Sequence, residues 1–92
     1  MWPEQHNTQE LLDSAKAGSD RAVNELLEHH RGALAQLVRL RLDRQIARRI
    51  DASDVVQDVL LEATKRLREY LQDPRIPFHL WLRQLAQDRM ID

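Results

Sequence analysis

Two short rows of side chains in this sequence have the types and spacing to hold a partner. The first is Asp54, Gln57, Asp58 and Leu61, at positions i, i+3, i+4 and i+7. At ~100° per residue they fall together on one side of a helix, setting two carboxylates and an amide around an apolar side chain. Leu61 is then either an isolated exposed leucine, common in soluble proteins, or the anchor of a stripe aimed at a basic protein surface. The second row is Trp81, Gln84 and Asp88, at i, i+3 and i+7. An indole beside an amide and a carboxylate gives an unstacked nucleobase a flat apolar surface with hydrogen-bonding groups next to it. The same tryptophan can equally seal the edge of a core.

Other chemistry finds little support. His29, His30 and His79 stand among many carboxylates, yet there is no His-x-x-x-His or Glu-x-x-His pattern and no glycine-rich phosphate loop. His30 falls on an apolar stripe and is expected to be a hydrogen-bonded core histidine. Cysteine is absent, so disulfides and thiolate metal sites are excluded. The residues call for no cofactor, no metal and no enzymatic activity. No apolar run approaches the ~20 residues that cross a membrane, and no signal peptide opens the chain. A cytoplasmic location without membrane contact is the simplest expectation.

Net charge is −1, but its distribution is uneven. Residues 1–30 carry 2 basic and 6 acidic groups, whereas residues 31–50 carry 6 basic and 1 acidic. The basic block "RLRLDRQIARR" (39–49) lies between acidic stretches. It suits a phosphate-facing patch and equally a solvated helix end, where arginine complements the negative pole of the dipole.

The elements that must position these groups are helices. Ninety-two residues, 42% hydrophobic and 32% charged, make one small globular domain with a stability of about 5–9 kcal/mol. No segment alternates with strand period. Asn7 followed by Glu10 is a capping signature for a first helix running to Ala17; residues 1–7 are expected to fray. Gly18 stops that helix, and Ser19 or Asp20 caps a long second one. Ala22, Val23, Leu26, Leu27, His30, Ala33, Leu34, Leu37 and Val38 form its buried stripe. Gly32 interrupts it and is expected to mark close helix packing. "DASD" (51–54) opens the third helix with Asp51 as cap, and its core side is Val56, Val59, Leu60, Ala63, Leu67, Tyr70 and Leu71. Pro74 ends it, and Pro77 is expected at the first position of a fourth helix, whose core side is Phe78, Leu82, Leu85 and Ala86. Short connections between helices imply a compact all-α four-helix bundle.

"DASDVVQDVLLEA" (51–63) followed by "FHLWLRQLAQDRMID" (78–92) resembles the second conserved region of bacterial RNA polymerase sigma factors, especially the extracytoplasmic-function subfamily. The usual pattern there is Asp-Ala-Glu-Asp-Leu-Val-Gln-Glu, then Phe-x-x-Trp-Leu-x-x-Ile-Ala-x-Asn with a later Asp. "AGSDRAVNELLEHHRGAL" is similar to the family's opening helices, so the resemblance runs from about residue 11 to 92. It implies a region 2 domain over residues 8–92, with the separate domain that reads the −35 element absent from this chain. It further implies that Asp54, Gln57, Asp58 and Leu61 dock on the clamp helices of the largest subunit of core RNA polymerase.

By the same resemblance, Trp81, Gln84 and Asp88, with the loop "LQDPRIP" (71–77), would read the non-template single strand of the −10 promoter element. A base would be flipped into a pocket between loop and helix, with Trp81 as one wall. Arg75, Arg83 and Arg89 are candidate phosphate partners, Arg89 being equally placed for a structural ion pair. An anti-sigma protein is a further partner that the resemblance leaves open. The sequence departs from the family at Asp58, often Glu there, at His30, often Tyr, and at Asp88, usually Asn. A carboxylate only accepts hydrogen bonds and repels phosphate, which puts the favoured base in question. The rival class is a helical adaptor or dimerisation module that never touches DNA; it accounts for Leu61 but leaves Trp81, Gln84 and the arginine block unexplained.

Overall fold

The computed structural model describes residues 1–43 and 51–91. Four helices follow one another: α1 (Gln5–Lys16), α2 (Asp20–Asp43), α3 (Ala52–Gln72) and α4 (Phe78–Ile91), with no strand among the described residues. Each packs on the next, while α2 also meets α4 and α1 meets α3. The result is the all-α four-helix bundle that the apolar spacing implied, about 44 × 22 × 22 Å. Among the described residues no helix is long and apolar enough to cross a membrane.

Local chemistry sets most of the boundaries. Gly18 adopts φ +102°, a region that favours glycine. Its N–H donates to the Ala15 carbonyl at 3.0 Å and the Ser19 N–H to Ser14 at 3.1 Å, a Schellman closure of α1. The next residue caps α2: the Ser19 hydroxyl oxygen accepts from the Ala22 N–H at 3.1 Å. Asp51 caps α3 as expected, accepting from the Ser53 N–H at 2.9 Å. Asp73, turned out of the helical region (φ −147°, ψ 71°) before Pro74, ends α3.

Three local expectations need correction. Helix α1 starts at Gln5, ahead of Asn7, and Glu4 occupies the cap position without a side-chain bond. The cause is tertiary: Trp2 packs its ring against His30 (6.2 Å) and His79 (5.7 Å) and so anchors the segment before the helix. Gly32 is exposed, and a Cβ there would meet nothing within 4 Å, so it marks no close approach. Pro77 stands one residue before α4, where its carbonyl accepts from Leu80 and Trp81 N–H at 3.0 and 3.1 Å.

The core runs along the inside of all four helices. Leu26, Leu34, Val38, Val59 and Leu82 are at most 1% exposed, and Met90 extends the apolar side of α4. Every core residue expected on α3 and α4 is buried except Leu71, which is half-buried. His30 belongs to this core. Its Nδ1–H donates to the Leu26 carbonyl at 2.8 Å, and its ring meets Phe78 edge-on at 4.8 Å. Burial, with His29 and His79 nearby, pushes its pKa below the usual histidine value, although the Leu26 bond opposes the shift.

Candidate docking and strand-binding faces

Helix α3 turns its core residues inward and leaves the first row outside. Asp54 and Gln57 are exposed and make no side-chain bond among the described residues. Leu61 is 51% exposed, which is high for a leucine in mid-helix. It stands as a ridge between two grooves. One, of about 370 Å³, lies between α3 and α4 and is lined by Asp58, Leu61, Lys65, Leu85 and Asp88. The other, of about 210 Å³, lies between α2 and α3 and is lined by Asn24, Arg31, Gln57 and Leu61. An Arg31–Glu28 ion pair at 3.0 Å sits on the second.

Asp58 differs from its neighbours. Arg89 reaches across from α4, and its guanidinium meets the Asp58 carboxylate at 2.6 Å. The structural ion pair that Arg89 was suited for is therefore made, and its partner is a residue of the first row. Sequence spacing could not show this, because the two residues are 31 positions apart.

The second row lies on α4. Trp81 is half-buried, with its ring 4.9 Å from Tyr70 and 5.6 Å from Phe78. All four aromatic residues of the chain, joined by His30 and His79, form one continuous cluster. Trp81 is thus an edge of the core that keeps part of its surface exposed. Gln84 and Asp88 continue outward from it; both are exposed and carry no side-chain bond among the described residues.

The loop between α3 and α4 is fixed from within. The Tyr70 hydroxyl donates to the Ile76 carbonyl at 2.6 Å, and burial raises its pKa above the usual tyrosine value. This loop and the start of α4 line a concavity of about 350 Å³ that opens toward α1, with Thr8, Gln9, Arg75, Ile76 and His79 around it. Trp81 is not part of that lining. The expected Trp81 wall is therefore absent from this concavity, whereas Tyr70 lines it and also meets the indole.

The arginines separate as well. Arg75 is held by Asp73 at 2.8 Å, so a phosphate must compete with that carboxylate. Arg83 is exposed without a partner among the described residues, but it lies two positions from Trp81, ~200° around the helix. Arg39 and Arg41 of the basic block are exposed; Arg44, Arg48 and Arg49 lie outside the described residues. Among the described residues no group of three His, Asp or Glu is arranged to hold a metal ion.

Sequence spacing did not anticipate that Asp88, assigned to the second row, shares a groove with Asp58 and Leu61 of the first. The arrangement offers an apolar ridge with acidic and amide neighbours, and a partly exposed indole backed by an aromatic cluster. No family model, curated protein or solved structure matches the chain.

Proposed function

We propose that the chain is a region 2 domain of a bacterial sigma factor of the extracytoplasmic-function type. Leu61, with Asp54, Gln57 and Asp58, docks on the basic clamp helices of core RNA polymerase. Trp81, Gln84 and the loop before α4 hold the non-template strand of a melted −10 element. The observation that carries this reading is the row on α3. An exposed leucine stands between two grooves, flanked by polar groups of which two have no internal partner, and this suits a surface waiting for a cationic helix. The partial exposure of Trp81, beside the exposed Gln84, supports the second role, since a base can stack on aromatic surface that the core leaves uncovered.

A helical adaptor is the second reading, favoured by one observation: Trp81 is fully explained as the rim of the aromatic cluster. A strand-binding assay separates the two. Core RNA polymerase is loaded with the chain and titrated with a dye-labelled, −10-like single strand, read by anisotropy against polymerase alone. A sigma domain strengthens strand binding, and the gain shrinks as salt rises. Polymerase binding without any gain for the strand is the adaptor's result.

A further inference from the structure

Five of the six close contacts between acidic and basic side chains among the described residues join positions two to four apart. The sixth, Asp58–Arg89, ties α3 to α4. Its two side chains keep 44% and 56% of their exposure, so the pair is open to competition and contributes little to stability. It also stands where the two proposed faces meet. Asp58 belongs to the docking row, Arg89 follows Asp88 at the end of the strand-binding row, and all three line one groove.

Resting on the function proposed above, we infer that Arg89 is an internal competitor for the docking site and thereby couples polymerase binding to strand binding. In the free chain the guanidinium occupies the Asp58 carboxylate. A lysine or arginine offered by the polymerase clamp takes over that carboxylate and releases Arg89. The freed guanidinium lies at the end of α4 beside Asp88, where the backbone of a strand laid along Trp81 and Gln84 supplies a phosphate. A phosphate drawn to Arg89 equally frees Asp58 for the clamp. The coupling is reciprocal, as linkage requires: each ligand strengthens the other by the same factor. A half-exposed ion pair limits that factor to about fivefold.

The test is the affinity of the full chain for core RNA polymerase, with and without a −10-like single-stranded oligonucleotide, for wild type, Arg89→Gln and Arg89→Met. Methionine keeps the apolar stem if glutamine disturbs the fold. Wild type should bind polymerase more tightly when the oligonucleotide is present. Without oligonucleotide, either variant should bind about three- to fivefold more tightly than wild type, because the competitor is gone. The oligonucleotide should then add less than it adds to wild type. Circular dichroism melting should change little. Weaker polymerase binding by both variants, or an undiminished oligonucleotide effect, overturns the coupling; so does a large loss of melting temperature, which marks a structural clamp. Failure of wild type to bind polymerase at all refutes the underlying functional reading instead.

Discussion

The Tyr70 hydroxyl closes the loop between α3 and α4 by donating to the Ile76 carbonyl at 2.6 Å, while its ring supports Trp81 at 4.9 Å. One side chain therefore sets both the loop and the indole. Tyr70→Phe keeps the ring and removes the bond, leaving the Ile76 carbonyl without that donor. The expected cost is about 1 kcal/mol in urea denaturation, with strand affinity reduced and polymerase affinity unchanged. Unaltered strand binding would show that loop position is irrelevant to the second face.

Trp81 is assigned two roles, and they separate by substitution. Trp81→Ala removes the rim of the aromatic cluster and should destabilise the chain by about 2–3 kcal/mol, below the usual cost for a fully buried large aromatic because the ring is half-buried. Promoter opening should be lost as well. Trp81→Phe should recover most of the stability but only part of the opening, the smaller ring covering less of a base. If opening by the alanine variant returns fully at a lower temperature where it is folded, the indole is structural only.

Much of the fold was legible because it is written in local rules. The stripe on α2, the Asp51 cap and the Gly18 stop each follow from residues within a turn or two of one another. The start of α1 was not legible, because it depends on Trp2 reaching His30 and His79, contacts made across 28 and 77 positions. The same limit applied at the site. Spacing placed Asp54, Gln57 and Leu61 outward correctly, but it treated the two rows as separate. Only the packing of α4 on α3 brings Arg89 to Asp58 and Asp88 into the same groove. The absence of Trp81 from the loop concavity is of this kind too, since Tyr70 reaches both from the far end of α3.

His30 makes the fold sensitive to acid. Its folded pKa is depressed, chiefly by burial and further by His29 and His79, so its contribution to stability is fully present above the unfolded value of about 6.5. That contribution is lost as pH falls from there through the folded value, where the imidazole must take up a charge beside Phe78 and Trp2. Urea midpoints at pH 7.5, 6 and 5 should decline, and His30→Leu should flatten the decline. A wild-type midpoint constant over this range contradicts the assignment.

Asp88 should oppose strand binding. Its exposed carboxylate can only accept hydrogen bonds and repels phosphate. Asp88→Asn removes a negative charge from the groove and adds two donors, so single-strand affinity should rise about two- to fivefold or the favoured base should change. Oligonucleotides differing at one position test all four bases; identical affinities for both proteins would refute the role.

If the outward side of α3 grips core RNA polymerase as proposed, Leu61 is the residue whose change should break that grip, being 51% exposed at no cost to the core. Leu61→Glu should leave the melting curve unchanged within about 0.5 kcal/mol, as for other surface substitutions. Co-elution of the chain with core RNA polymerase on gel filtration should fall from near-stoichiometric to background. Equal co-elution by wild type and Leu61→Glu, both folded, would mean that this side of α3 is not the docking face.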